Sequence, residues 1–107
     1  MGFFDLFRQP DINQGVEEYR AVPQAILLDV RTPEEYGGGH VPGSRNLPLQ
    51  QIEKITAIAE KKETPLFVYC QSGARSRQAV SLLQRMGYEN VNNIGGMAAY
   101  HNFSESQ

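Results

Sequence analysis

The most informative segment of the chain is Leu66-Phe67-Val68-Tyr69-Cys70-Gln71-Ser72-Gly73-Ala74-Arg75-Ser76-Arg77. Four apolar or aromatic residues lead directly into the only cysteine, and a short polar loop follows it. A continuous apolar run of this kind is typical of a strand that is buried in a parallel sheet. The segment therefore predicts a strand that carries Cys70 to a loop at the edge of a sheet.

A helical pattern follows the loop, beginning at about Ser76 and ending at Gly87. Its apolar face consists of Ala79, Leu82, Leu83 and Met86. The first backbone N–H groups of a helix have no intrahelical partner, so here they would point back toward the loop. Because Ser72 and Gly73 let the backbone curl, the loop can also turn several N–H groups inward and bind an anion. The pattern therefore predicts a ring of N–H donors around Cys70.

This setting would change the chemistry of Cys70. A thiol that faces a helix N-terminus and two arginines, here Arg75 and Arg77, has its thiolate form favoured and its pKa lowered. The thiolate is the nucleophile, and the same N–H groups can stabilise a developing negative charge. The alternative interpretation is a buried structural cysteine, which needs neither a glycine-containing loop nor neighbouring arginines. We therefore predict a nucleophilic cysteine.

The other segments alternate between helix and strand patterns. Helices are predicted at about residues 12–22, 33–36, 48–61 and 97–100, and strands at 25–30, 46–47 and 91–94, with a tight turn at 95–96. This alternation predicts an α/β fold with a mostly parallel sheet of four or five strands and helices on both faces. Asp29 lies near the C-terminal end of its predicted strand, where ligands gather in open α/β sheets. It is either functional or, in our preferred interpretation, holds nearby loops through hydrogen bonds.

The segment after Asp29 shows a capped helix start. Thr32 is the expected N-cap, Pro33 fits the first helical position and Glu35 can reach back to complete a capping box. The glycines at positions 37–39 should end this helix early. His40 then precedes a turn and has no cysteine or carboxylate cluster at ligand spacing, so we interpret it as structural rather than metal-binding.

At these residues the chain resembles the rhodanese-like family. Three ordered blocks carry the resemblance: Leu27-Leu28-Asp29-Val30-Arg31-Thr32-Pro33-Glu34-Glu35-Tyr36 with Gly39-His40-Val41-Pro42-Gly43-Ser44-Arg45-Asn46-Leu47-Pro48, the six-residue loop Cys70-Gln71-Ser72-Gly73-Ala74-Arg75, and Ile94-Gly95-Gly96-Met97. Together they cover most of the chain, from about Ile12 to Tyr100. Two departures are visible, because Tyr100 stands where many members have tryptophan and Gly37-Gly38 stand where members have bulkier residues.

The resemblance implies a single-domain rhodanese-like fold and a sulfurtransferase. Cys70 would take the outer sulfur of thiosulfate or a related donor as a persulfide, and cyanide, a small thiol or a thiol-bearing protein would accept it. Neither a metal nor an organic cofactor is implied. The expected loop and substrate-binding residues are Gln71, Ser72, Gly73, Ala74, Arg75, Ser76 and Arg77, with Asp29 and Arg31 as supporting candidates.

Two alternatives remain beside the sulfurtransferase. Phosphatase or arsenate reductase chemistry needs a wider loop, with five residues between cysteine and arginine. Here four residues separate Cys70 from Arg75, and Ser76 occupies the position that the wider loop reserves for arginine. The second alternative is a persulfide carrier or a partner-binding module with little turnover, since many rhodanese-like domains serve as modules.

Composition sets the remaining limits. The chain has 107 residues, and we expect one domain at residues 11–103, a short N-terminal segment at 1–10 and a polar tail at 104–107. A net charge of −2 gives no case for nucleic acid as a partner. The single cysteine excludes an intramolecular disulfide, and a thiol nucleophile suits a reducing compartment, so we expect a cytoplasmic protein. No apolar run approaches the length of a membrane span.

Overall fold

A computed structural model describes residues 10–101, and the predicted N-terminal segment and polar tail lie almost entirely outside this range. Four parallel strands form one sheet in the order β2-β1-β3-β4. The strands are β1 (Ile26–Asp29), β2 (Arg45–Asn46), β3 (Leu66–Cys70) and β4 (Val91–Gly96). The predicted α/β fold with a parallel sheet is confirmed, and its strand number is four.

Two apolar clusters lie on opposite faces of the sheet. Because side chains alternate along a strand, Phe67 and Tyr69 of β3 join one cluster, while Leu66, Val68 and Cys70 join the other. Helix α1 (Ile12–Ala21) covers the first cluster through Ile12 and Val16. Helix α3 (Ala74–Arg85) and a 3₁₀ helix (Leu49–Ala57) cover the second. The predicted arrangement of helices on both faces is therefore present.

The two N-terminal helices begin where the sequence predicts. The Asp11 side chain caps α1 by accepting a hydrogen bond from the Asn13 N–H at 3.0 Å. Helix α2 (Pro33–Gly37) begins with the predicted capping box, in which the Glu35 N–H donates to Thr32 Oγ1 at 3.1 Å and the Thr32 N–H donates to Glu35 Oε1 at 2.9 Å. The cap of α1 and the capping box of α2 each satisfy N–H groups that a helix start leaves unpaired.

The segment after β2 differs from its prediction. Instead of a long helix over residues 48–61, a 3₁₀ helix spans Leu49–Ala57 with a kink at Gln51. Its core-facing apolar residues recur at intervals of three, and they are Leu49, Ile52, Ile55 and Ile58. Side chains three residues apart align along one face of a 3₁₀ helix, so this spacing packs better there than in an α-helix. Pro48 also supplies no side-chain cap.

The predicted turn at residues 95–96 is part of β4. The pairing of β4 with β3 shifts between Val68 and Tyr69, so that Ile94 is an extra residue and Gly95 lies opposite Tyr69. This is a β-bulge, and Gly95 at its centre has a φ of +102°, which favours glycine. A short 3₁₀ helix, Met97–Ala99, follows directly. The bulge brings the end of β4 against the cysteine loop.

No helix within residues 10–101 combines the length and the apolar character that crossing a membrane requires.

Candidate active site

Cys70 is the last residue of β3 and is only 1% exposed. The chain turns sharply after it, and Gly73 forms the N-cap of α3 with a φ of +103°. This left-handed conformation, which glycine adopts without steric cost, lets residues 71–73 curl around the sulfur. The strand, loop and helix that the sequence predicts at residues 66–87 are all present.

Backbone donors surround the sulfur of Cys70. The Gly73 N–H donates to Sγ at 3.0 Å and the Ser76 N–H donates to it at 3.3 Å, while Ser76 Oγ lies 3.6 Å from Sγ. We call these groups, together with the Ser72 N–H, the thiolate cradle. The sequence predicts a ring of N–H donors around Cys70, and the structure brings the N–H groups of Ser72, Gly73 and Ser76 to the sulfur.

The cradle changes the acidity of Cys70. Burial by itself raises the pKa of the thiol, but the Ser76 hydroxyl and the N–H groups of Ser76, Gly73 and Ser72 outweigh it, so that the pKa lies below its ordinary value. The pKa of Cys70 is therefore lowered, as the sequence predicts. The main cause is hydrogen bonding from the loop and the helix N-terminus, because hydrogen bonds to the charged form favour that form. Of the two arginines that the sequence suggested, Arg75 adds a charge interaction with Cys70.

A residue of β4 holds the Ser76 side chain. The Ser76 hydroxyl lies 2.8 Å from Asn93 Oδ1, and the Gly95 N–H donates to the same oxygen at 3.0 Å. Since a backbone N–H can only donate, this bond identifies the amide atom as oxygen. The Ser76 hydroxyl can therefore donate its single proton either to this oxygen or to Cys70 Sγ, 3.6 Å away. Sequence reasoning did not find Asn93. Its only signal was a polar residue within a short strand.

Arg75 contacts Glu35 rather than the sulfur. Its Nη1 donates to Glu35 Oε1 at 2.7 Å and its Nη2 donates to Oε2 at 2.9 Å. The paired arginine and the Thr32 N–H lower the pKa of Glu35 to about 2. The pair raises the pKa of Arg75, and the charge of Cys70 adds to that effect. The arginine is therefore within electrostatic reach of the site but partly neutralised.

Asp29 and Arg31 form a buried ion pair under the loop. Arg31 Nη2 lies 2.8 Å from Asp29 Oδ2, and the two side chains are 5% and 0% exposed. Arg31 Nη1 also donates to Gln71 Oε1 at 3.1 Å. The pair thus fixes the first side chain of the cysteine loop, in line with the interpretation that Asp29 holds nearby loops.

A close backbone contact supports the loop from the other side. A Cβ atom on Gly96 would lie 2.4 Å from the Gln71 carbonyl oxygen and 2.7 Å from Ser72 Cα. The Ala98 N–H donates to that same carbonyl at 3.1 Å. Only a glycine at this position leaves room for the loop, a requirement that appears only once the two segments are in contact.

A cavity of about 300 Å³ adjoins the cradle. Its walls include Gln71, Ser72, Gly73, Arg77, Asn93 and Gly96. Of the predicted loop residues, Arg77 is the charged side chain that lines it, whereas Arg75 points to Glu35.

His40 lies away from this chemistry. Its ring stacks on Tyr36 with the centroids 3.7 Å apart, and its Nδ1 is 2.9 Å from the Tyr36 carbonyl oxygen. Residues 10–101 contain no cluster of three or more side chains that could hold a metal ion.

Comparisons with known proteins all match this chain to rhodanese-like proteins. The family model for the rhodanese-like domain matches residues 11–103. Thiosulfate sulfurtransferase PspE of Escherichia coli is 43% identical over 72 residues, which cover 65% of this chain and 68% of that protein. Human thiosulfate:glutathione sulfurtransferase is 32% identical over 97 residues, covering 78% and 83%. A solved Escherichia coli rhodanese with anions superposes with a TM-score of 0.68 at 39% identity, covering 71% of this chain and 91% of that one.

Proposed function

Because the chain belongs to the rhodanese-like domain family, we propose that it transfers a sulfane sulfur from thiosulfate or a similar donor to a thiophilic acceptor through a persulfide on Cys70. The predicted rhodanese-like fold is confirmed, and the chain is a rhodanese-type transferase like its named relatives. The observation that carries the proposal is the buried Cys70 sulfur, surrounded by donors that lower its pKa.

In the first half-reaction, the Cys70 thiolate attacks the outer sulfur of thiosulfate. A bond forms between Sγ and that sulfur, the S–S bond of thiosulfate breaks, and sulfite leaves with the electron pair. The N–H groups of Gly73 and Ser76 then stabilise the charge of the persulfide. Arg75 attracts the anionic donor, at a strength that Glu35 reduces by pairing with it.

In the second half-reaction, cyanide, a small thiol or a thiol-bearing protein removes the outer sulfur and regenerates the thiolate. Two successive covalent steps imply ping-pong kinetics. The steps require neither a metal nor an organic cofactor. They do require Cys70 to remain reduced between cycles, so we place the protein in a reducing compartment, the cytoplasm.

Phosphatase or arsenate reductase chemistry has less support. The position that such a loop reserves for arginine holds Ser76, whose side chain is buried and bound to Asn93. Arg75, one residue earlier, is engaged by Glu35. A cradle of this width suits a single sulfur atom better than a phosphate group.

Intact mass spectrometry tests the proposal. Protein treated with thiosulfate alone should gain the mass of one sulfur atom on Cys70, and cyanide should then remove it as thiocyanate. The Cys70→Ser variant should fold normally and gain nothing, since a hydroxyl is far harder to deprotonate than a thiol. Thiosulfate consumption without an adduct would rule out the covalent mechanism. An adduct that no acceptor discharges would instead favour the persulfide carrier.

A further inference from the structure

A charged side chain lines the cavity beside the cradle without contributing an ion pair to the described part of the fold. Arg77 lines it and is exposed, and its side chain has no ion-pair or hydrogen-bond partner within residues 10–101. The neighbouring arginines differ, because Arg75 is held by Glu35 and Arg31 by Asp29. An arginine in a concave site without a protein partner is suited to bind an anion from solution, and a carboxylate most of all.

Asn93 adds a second donor to the same cavity. Its Oδ1 accepts hydrogen bonds from Ser76 and Gly95, so the orientation of the amide is determined. The Nδ2 group then remains as a donor, and it has no acceptor among the described residues. Because Asn93 lines the cavity together with Arg77, two kinds of donor face one space.

The cavity also shares a wall with the cradle. Gly73 lines the cavity and donates its N–H to Cys70 Sγ at 3.0 Å. Cys70 itself is not among the described residues that line the cavity. A molecule that binds Arg77 must therefore extend beyond the cavity to reach the sulfur. An organic thiol with a carboxylate at its other end has the two groups that such a molecule needs.

We propose that this cavity is the acceptor subsite, and that Arg77 and Asn93 bind the carboxylate of a thiol acceptor. The inference rests on the proposed function, since it concerns the second half-reaction. A volume of about 300 Å³ is at the lower end of the range for small-molecule sites and leaves room for an organic acid. Gly95 and Gly96 form the end of the β4 wall of the cavity.

The group transfer balances without a further reactant. The acceptor loses its thiol proton to water, and its thiolate attacks the outer sulfur of the Cys70 persulfide. A new S–S bond forms on the acceptor while the bond between Sγ and the outer sulfur breaks. The electron pair of that bond returns to Sγ, which becomes the thiolate that the cradle stabilises.

The test uses protein loaded by thiosulfate and then freed of it. Discharge of the persulfide is followed by intact mass with three thiols: 3-mercaptopropionate, which carries a carboxylate, neutral 2-mercaptoethanol and cationic cysteamine. Arg77→Gln should raise the half-saturating concentration of 3-mercaptopropionate about tenfold, the size expected for losing a charge-assisted hydrogen bond. The values for the other two thiols should change by less than about twofold. Arg85→Gln removes an exposed charge from the last turn of the same helix and should change none of the three.

A second variant addresses Asn93. Asn93→Asp keeps an oxygen for Ser76 and Gly95 but replaces the Nδ2 donor with a negative charge. This variant should raise the half-saturating concentration of 3-mercaptopropionate more than that of 2-mercaptoethanol. Any indirect effect on Cys70 acts on all three thiols alike, so the comparison between thiols isolates the subsite.

Several outcomes would overturn the inference. Equal changes for all three thiols in Arg77→Gln would do so, and so would an equal effect of Arg85→Gln. Slower loading by thiosulfate with unchanged discharge would mean that Arg77 serves the donor instead. Binding to unloaded protein separates this inference from the proposed function: 3-mercaptopropionate should shift the side-chain NMR signals of Arg77 and Asn93. Absence of those shifts refutes the subsite, whereas shifts in a protein that takes up no sulfur refute the sulfur transfer alone.

Discussion

The carboxylate of Glu35 accepts two parallel hydrogen bonds from the guanidinium of Arg75, at 2.7 and 2.9 Å. The same carboxylate closes the capping box of α2 with Thr32. One side chain therefore stabilises the start of α2 and also ties it to the first turn of α3, next to Cys70. Both partners are 34% exposed, so water still reaches the pair.

Stability should depend on this pair in a defined pH range. The pKa of Glu35 falls from an ordinary 4.5 to about 2 in the folded protein, so its contribution is complete above 4.5 and is lost as the pH falls toward 2. Glu35→Gln should lower the free energy of unfolding by about 1 kcal/mol near neutral pH, because water screens so exposed a pair. Urea denaturation at several pH values should show that the difference in free energy of unfolding between the wild type and Glu35→Gln shrinks in acid. Glu34→Gln, an exposed neighbour in α2, is the control, and a gap that persists unchanged toward pH 2 would contradict the assignment.

The same pair should influence the donor half-reaction with opposite signs. Glu35→Gln leaves the Arg75 charge uncompensated and should speed thiosulfate loading about threefold, whereas Arg75→Gln should slow it by a similar factor. Labelling by iodoacetamide, which is neutral, should change little in either variant. Stopped-flow or quenched mass spectrometry at two salt concentrations checks this, since added salt should reduce both effects. Parallel changes for thiosulfate and iodoacetamide would make Arg75 structural only.

The hydroxyl of Ser76 should contribute to the acidity of Cys70. Ser76→Ala removes one stabilising donor but keeps the backbone N–H, so the pKa of Cys70 should rise. Because only the thiolate reacts, the rate of iodoacetamide labelling as a function of pH should shift to higher pH. Ser81→Ala alters an exposed hydroxyl of the same helix and should leave the profile in place. An unshifted profile for Ser76→Ala would assign the low pKa to the backbone alone.

Strand β4 lies so close to the cysteine loop that no side chain should fit at Gly96. Gly96→Ala places a Cβ within 2.4 Å of the Gln71 carbonyl oxygen, so the loop must move away from the sulfur. We expect a loss of about 1–3 kcal/mol in stability and a strong loss of sulfur loading. Gly37→Ala is the matched control, because a Cβ there meets nothing within 4 Å. Normal loading in Gly96→Ala would show that the contact does not shape the cradle.

Local features of the site were predictable from the sequence. The strand, the cysteine, the curled loop and the following helix are consecutive in residues 66–87, and their residue types determine them directly. The capping box of α2 is equally local. The prediction of a long helix at residues 48–61 was wrong because the apolar residues there fit spacings of both three and four. Only packing on the sheet selects the 3₁₀ form.

Pairings between distant segments were not predictable in the same way. Glu35 and Arg75 are 40 residues apart, and so are Arg31 and Gln71. Nothing in either local sequence indicates its partner, because the register of parallel strands brings them together. Asn93 was missed for the same reason: its role depends on Ser76, which lies on another element.

The parallel sheet also has a consequence for how the protein folds. No strand pair in it can begin as a hairpin, because parallel neighbours must be joined by long crossovers, and such contacts form slowly. The loop around Cys70 is held by Asn93 and by the Ala98 N–H, which arrive only when β4 docks on β3. The thiol of a refolding chain should therefore reach its full acidity only when the last strand is in place. The capacity to take up sulfur becomes a kinetic marker of complete folding, and a nascent chain is shielded from premature reaction by its own topology.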